Sequence, residues 1–253
     1  MSERGWSCRA VRARRNASLP LREALPGPWV GDTWASPVRW PRVDLILVAV
    51  PDHGIREVAG RLAEGDDCHS AVVLHTSGLR TSEDLAPCHA SGAAVGSWHP
   101  LQTFPALGRF PVSWEGVYCA IEGDPPAVEI GEALARELDL IPWRIQVGDK
   151  LRYHAAASVA GNLTHALVVA AKEMLASTGM EPHAAGEALK PLVRASLEAA
   201  LAARGFEGLT GPLTRGDSKT IAAHLAALSP PVADAYRAIV RLVTNRNLSD
   251  KDD

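Results

Sequence analysis

The feature that most constrains the fold is a change of pattern at Gly148-Asp149. Before it, short apolar runs alternate with helical periods; after it, every apolar period is helical. The first run, Val43-Asp44-Leu45-Ile46-Leu47-Val48-Ala49-Val50, is nearly continuous and stops at Pro51-Asp52. A strand buried on both faces of a parallel sheet reads in this way. Gly54 to Glu64 then has helical spacing through Ile55, Val58, Ala59 and Leu62. Ala71 to Leu74, Ala93 to Trp98, Val117 to Ile121 and Trp143 to Val147 read as further strands, and Pro126 to Leu138 as a helix. Such alternation predicts an α/β layer on a parallel sheet. Helices are expected from Asp149 to Ser177, Pro182 to Ala203, Asp217 to Ala227 and Pro231 to Thr244, broken by Gly179, Gly205 to Gly208 and Ser229-Pro230. The expected organisation is an α/β domain over residues 1–148 and an all-α domain over 149–253.

Composition excludes several classes. With 253 residues, 47% of them hydrophobic and 22% charged, the chain can bury a full core. A net charge of -3 supplies no basic face for nucleic acid or for a polyanionic membrane surface. The four cysteines (Cys8, Cys68, Cys88, Cys119) form no CxxC pair, so they read as reduced thiols of a cytoplasmic protein and not as a zinc site or disulfide framework. There is no apolar run of about 18 residues, and the N-terminus is too polar for a signal peptide, so a soluble protein is expected. The first forty residues are the least regular, with four of the seven tryptophans (Trp6, Trp29, Trp34, Trp40) and frequent arginine. Ser7 to Arg15 reads as a short strand ending in a basic pair.

Three groups of residues stand out as chemistry. Lys150, His154, Ser158 and Asn162 recur at i+4 behind the cap residue Asp149 and make one slowly drifting polar stripe on an alanine-rich helix. Buried polar groups need partners, so the stripe asks for either backbone bonds and solvent or a ligand. At about 18 Å it is too long for one small substrate to touch throughout. Ligands of open parallel sheets bind outside the carboxyl ends of the strands. There this sequence places Asp52-His53, His75-Thr76-Ser77-Gly78 and His99-Pro100-Leu101-Gln102, which together suggest a lined crevice with imidazoles able to carry protons near neutral pH. No tight pair of ligand types supports a metal site, and none is expected. The loop from Leu209 to Asp217 reads either as turns ending in a helix cap at Asp217, or as a carboxylate or phosphate site using Thr210, Thr214 and Arg215.

The residues Val48-Ala49-Val50-Pro51-Asp52, His75-Thr76-Ser77-Gly78, Gly96 to Phe104, Ala120-Ile121-Glu122-Gly123, Asp149-Lys150 with Tyr153 to Ala157, and Thr210-Gly211-Pro212 with Arg215-Gly216-Asp217 occur in one order. In this order they resemble the Rossmann-like proteins carrying the DUF2520 domain, over roughly Val43 to Val243. That family is similar to pyrroline-5-carboxylate reductases, 6-phosphogluconate and 3-hydroxyisobutyrate dehydrogenases and ketopantoate reductases. The resemblance implies a Rossmann-like nicotinamide-binding domain followed by a helical domain like that of 6-phosphogluconate dehydrogenase, which often forms a homodimer. It also implies a reductase reaction, ketopantoate-reductase-like in some members.

Two departures shape the expectation. The family opens with a strand, a GxGxxG loop and a helix, and no such loop occurs in this chain. The sequence therefore reads as N-terminally truncated, with Arg4 to Val11 as the end of a first helix and a second strand, and the sheet as lacking its first strand-loop-helix unit, which would leave apolar neighbours exposed. The glycine loop is the main cradle for pyrophosphate. On this placement Arg14 and Arg15 lie at the adenosine ribose and favour the 2'-phosphate of NADP over NAD. The second departure is that the dehydrogenase relatives pair a lysine with an asparagine four residues later. Here His154 follows Lys150 at that spacing, and Ser158 precedes Asn162.

The resulting expectation is an NADP-dependent oxidoreductase reducing a small carboxylate-bearing carbonyl or imine. Lys150 or His154 would give the proton, and Ser158 or Asn162 would orient the substrate. Arg14, Arg15, Val50, Pro51, Asp52, Ser77, Gly78 and His99 would hold the cofactor, and Gln102, Thr210 and Arg215 the substrate. The alternative is a cofactor-free remnant acting as a binding or scaffold protein.

Overall fold

The computed structural model describes residues 42–104 and 113–249, with side chains through Asn245. The expected strand from Ser7 to Arg15, the reading of Arg4 to Val11, and the assignments to Arg14 and Arg15 lie outside the described residues. The described chain divides into two compact units, at Gly161 and Asn162.

The first unit is a five-stranded sheet in the order β1 (Leu45–Val48), β2 (Val72–His75), β3 (Ala94–Pro100), β4 (Tyr118–Gly123), β5 (Ile141–Arg144). Helix α1 (Ile55–Glu64) crosses from β1 to β2, α2 (Ala86–Ala90) precedes β3, and α3 (Pro125–Glu137) joins β4 to β5. Pairings β1–β2, β2–β3 and β4–β5 are parallel; β3–β4 is antiparallel. The all-parallel reading is thus corrected at one junction. Parallel neighbours need a long, usually helical, crossover, and the sequence from Leu101 to Gly116 carries Pro105, Gly108 and Pro111, with a further glycine at its end, in place of a helical period. Gly123 has φ +138, and a Cβ there would run into the Val95 carbonyl. Only glycine accepts both conditions, so β4 can close on β3 at this point.

Period-two alternation sorts the strands onto two cores. On one face Val48, Val73 and Val95 pack with Ile55, Ala59 and Leu62 of α1 and with Leu85 and Cys88. On the other, Val72, Leu74, Trp98, Cys119 and Ile121 pack with Ala127, Val128, Leu134 and Ala135 of α3. The Trp98 indole N–H donates to the Gly131 carbonyl at 3.0 Å, and Gly131 without a side chain lets α3 reach Ile121. Each large apolar side chain buried in this way contributes about 1.5–3 kcal/mol.

β1 departs from the expectation of burial on both faces: Leu47 is 41% exposed, and Leu45 and Ile46 are only half-buried. Among the described residues β1 has one pairing neighbour, β2, so one side and part of one face lack cover.

Helix α4 (Lys150–Ser158) ends the first unit, and a π-helical turn (Val159–Leu163) leads into the second. That unit contains α5 (Thr164–Ala176), α6 (Pro182–Ala202), α7 (Ser218–Ala227) and α8 (Pro230–Ser249). Within it α5 packs on α6 and α7 on α8. Glu181 caps α6 by accepting the Ala184 N–H at 2.9 Å, and Asp217 caps α7 by accepting that of Thr220 at 3.0 Å. Among the described residues no helix is long and apolar enough to cross a membrane.

Candidate active site

Sheet register sets up the site. His75 of β2 pairs with Ser97 of β3, and Ser97 with Glu122 of β4, so three polar side chains stand in one lateral row on one face. All are buried, with His75 and Ser97 fully enclosed. Lys150, the first residue of α4, is 1% exposed and meets this row. Its Nζ donates to Ser97 Oγ at 2.6 Å and to the Ser77 carbonyl at 3.0 Å, and lies 3.8 Å from Glu122 Oε1. Burial pulls the lysine pKa down to about 8, against the opposing pull of the Glu122 and Asp52 carboxylates.

The same row holds the segment that follows β2. His75 Nδ1 accepts the Ser77 N–H at 3.2 Å, so Nε2 carries the hydrogen and donates to the Thr81 carbonyl at 3.0 Å. Burial lowers the His75 pKa and keeps this ring neutral. Ser77 Oγ accepts from the N–H groups of Leu79 and Arg80 at 3.2 and 2.9 Å. The Glu122 carboxylate accepts from the N–H and the hydroxyl of Ser82, both at 2.8 Å. The segment thus has its polar groups engaged at both ends.

Between those ends lies Gly78. A Cβ there would stand 2.8 Å from His99 Nε2 and 2.9 Å from His154 Nδ1, so two imidazole nitrogens pack directly onto the bare glycine, in a notch that no side chain could share with them. His99 is fixed from behind by a 2.6 Å bond between its Nδ1 and the Tyr153 hydroxyl, with the two rings edge to face at 5.6 Å. Trp143 packs on Tyr153 in turn. Burial first, and then the Lys150 charge, pull the His99 pKa down to about 4. His154 Nδ1 is buried and has no hydrogen-bond partner among the described residues. Buried nitrogens without partners are rare, and this one faces a notch.

The other sequence candidates fall in several places. Pro51 and Asp52 open a 3-10 turn after β1, in which the Pro51 carbonyl accepts the Gly54 N–H at 2.8 Å. The Asp52 carboxylate acts electrostatically on both Lys150 and His99, which puts it at the same end of the sheet. Val50 is half-buried and His53 exposed. Gln102 turns its Oε1 onto the N–H of Thr103 at 2.8 Å. Ser158 is half-buried and Asn162 exposed, so the stripe is buried only at its Lys150 end. Thr210 and Arg215 belong to the second unit, where Arg215 is exposed and Asp217 is the helix cap that one reading of this loop expected. Of the strand-end histidines only His99 reaches the notch, because His75 is sealed in the row and His53 is exposed to solvent. Among the described residues no cluster of histidine, cysteine or carboxylate side chains is arranged to hold a metal ion.

Ser97, Glu122 and Tyr153 lie in the motifs that carry the family resemblance, yet sequence reasoning assigned none of them a role in the site. Glu122 left a signal, since a carboxylate directly after the apolar run Cys119-Ala120-Ile121 is out of place unless it is paired. Ser97 and Tyr153 left none: only the register and the helix rotation bring them in.

The family model described as "Domain of unknown function (DUF2520)" matches residues 117–243, half of the chain. Among solved structures, a candidate NADP oxidoreductase from Bacteroides fragilis has a similar fold, with a TM-score of 0.79, 20% identity, and 95% of this chain and 90% of that one covered. A protein from Thermotoga maritima aligns with a TM-score of 0.69 and 24% identity, covering 96% and 92% of the two chains. An imine reductase from Myxococcus stipitatus in complex with NADP+ aligns with a TM-score of 0.61 and 15% identity, covering 96% and 88%. No curated protein matches the sequence. At these identities the structural likeness establishes a shared Rossmann-like fold.

Proposed function

The chain belongs to the DUF2520 family, and from that premise we propose that it is a nicotinamide-dependent oxidoreductase, with NADP as cofactor, that reduces a small carboxylate-bearing carbonyl or imine. The observation that carries this reading is the buried, unpartnered Nδ1 of His154, which faces the Gly78 notch opposite His99 Nε2. A buried nitrogen left without a partner asks for one from outside the chain, and this one lies at the carboxyl end of the parallel strands, where ligands of such sheets bind. Val50, Pro51, Asp52, Ser77, Gly78 and His99 would line the nicotinamide end of the cofactor, and Arg14 and Arg15 its 2'-phosphate.

When bound, the cofactor supplies the hydride. The protein's own work is to hold the reacting carbon at the notch and to bring a proton to the oxygen or nitrogen attached to it. Of the two donors that the sequence leaves open, His154 is the one we assign. Its Nδ1 faces the notch, whereas Lys150 Nζ is enclosed by the row. His99, fixed by Tyr153, sits across from it and fixes the site's second polar direction. The helical unit would join two copies of the chain.

The test is a fluorescence titration of the full chain with NADPH, followed by NADPH oxidation with a panel of small 2-oxo acids and cyclic imines. Binding with turnover, and loss of turnover in His154→Ala with binding retained, is the expected result. Failure to bind NADPH would select the competing reading, a cofactor-free scaffold.

A further inference from the structure

The loop from Ser77 to Ser82 carries Gly78, and it is held by the residues of one buried row and the lysine laid against it. His75 accepts the Ser77 N–H and donates its own N–H to the Thr81 carbonyl. Lys150 donates to the Ser77 carbonyl, and Glu122 accepts from the N–H and hydroxyl of Ser82. Lys150 and Glu122 face each other, so a single ion pair closes the loop from its two ends.

An ammonium has three donor positions. Two of those of Lys150 are taken by Ser97 Oγ and the Ser77 carbonyl, and its charge lies 3.8 Å from the Glu122 carboxylate, so the ammonium is held within the row. The side chain is also 1% exposed. We propose that Lys150 is a positioning residue: together with Glu122 and His75 it fixes the Ser77–Ser82 loop so that Gly78 is held against His99 Nε2 and His154 Nδ1, and it gives no proton to the substrate. What the loop is held for rests on the reductase reading above; that it is held does not.

Burial of the pair explains why the device is brittle. Removing one member leaves the other as a lone charge without water, which is far more disruptive than removing both. The variants are therefore Lys150→Met alone and Lys150→Met combined with Glu122→Gln, whose amide oxygen can still accept from Ser82. Hydrogen exchange by mass spectrometry reads the loop directly. In Lys150→Met, exchange over residues 77–82 should rise by about tenfold or more while α3 exchanges as in the parent chain. NADPH affinity, read by fluorescence, should weaken in the same variant.

The pH profile of NADPH oxidation separates positioning from proton donation. In the double variant turnover should fall by no more than about 100-fold, with the shape of the pH profile retained, because the donor is elsewhere. His154→Gln should instead lose the limb of the profile that reports the donor. Unchanged loop exchange in Lys150→Met, or a profile that loses its limb with Lys150 and keeps it without His154, would overturn the proposal. If the parent chain binds no NADPH the reductase reading fails, and the exchange measurement still decides whether the clamp exists.

Discussion

Lys150 Nζ lies 3.8 Å from Glu122 Oε1 with both side chains almost wholly enclosed, at 1% and 2% exposure. The pairing joins the N-terminus of helix α4 to the end of strand β4, two elements 28 residues apart in sequence by the difference of 150 and 122. A pair this deep costs more in lost hydration than it returns unless its remaining bonds are made. Here Ser97, the Ser77 carbonyl and Ser82 make them.

That burial sets the sign of an alkaline effect. The Lys150 pKa is about 8 in the folded chain and ordinarily near 10.5, so between those values the unfolded chain binds more protons. Stability contributed through this group therefore rises as pH increases from about 8 to about 10, by on the order of 1–3 kcal/mol. Buried Cys68, Cys88 and Cys119, whose pKa values burial raises, pull stability the opposite way in both proteins. Urea unfolding at pH 7.5, 8.5 and 9.5 should therefore show the Lys150 effect as a more upward slope in the parent chain than in Lys150→Met/Glu122→Gln. Parallel lines for the two proteins would mean that Lys150 is not desolvated in solution.

The acid side has a separate cause. The His99 pKa is held near 4, against an ordinary 6.5, by burial and by the Lys150 charge, and His75 is lowered as well. The unfolded chain binds more protons between about 4 and 6.5, so stability falls as pH drops through that window. For His99 alone the loss is on the order of 1–3 kcal/mol. His99→Gln should show a smaller loss between pH 7 and pH 4.5 than the parent chain, as measured by the urea midpoint. Equal losses would place the acid sensitivity elsewhere.

Strand interiors and helix periods made most of the fold legible in the sequence. Ile55, Ala59 and Leu62 fall at helical spacing and are buried as α1, and Val73 and Val95 are core residues of strands expected at their positions. The antiparallel β3–β4 junction was not legible, because the direction of a strand is set by its connection and not by its apolar run. Gly123 was the clue, since its φ and its contact with Val95 matter only once β4 lies against β3. In the site, His99, His154 and Gly78 were legible as strand-end and helix-face residues. The partners that give them meaning come from register: Ser97 and Glu122 share a row with His75 because β3 happens to pair one way with β2 and the opposite way with β4.

Gly123→Ala is a pure test of that junction. It adds a methyl group against the Val95 carbonyl and asks alanine to adopt φ +138. Strain and overpacking together should cost on the order of 2–4 kcal/mol, read as a lowered Tm. Because Glu122 is its neighbour, loop exchange over residues 77–82 should rise with it. A variant as stable as the parent would mean that β3 and β4 separate at this point in solution.

Gly78→Ala should behave in the opposite way. No unusual φ is required of Gly78, so the backbone accepts alanine, and what the methyl meets is 2.8 Å to His99 Nε2 and 2.9 Å to His154 Nδ1. At these distances both imidazoles must shift, and a shift of His99 disturbs its 2.6 Å bond to Tyr153. The stability loss should stay within about 1–3 kcal/mol, the usual range for an extra methyl in a packed site. The functional loss should be far larger. Displacing the two imidazoles from their places around a reacting centre should lower NADPH oxidation by about 100-fold. Tyr153→Phe gives the control: it frees His99 from its anchor without filling the notch, so on its own it should cost less turnover, and in combination with Gly78→Ala it should recover part of what the methyl removed. Turnover at the parent level in Gly78→Ala, with the fold intact by Tm, would remove the notch from the active site altogether.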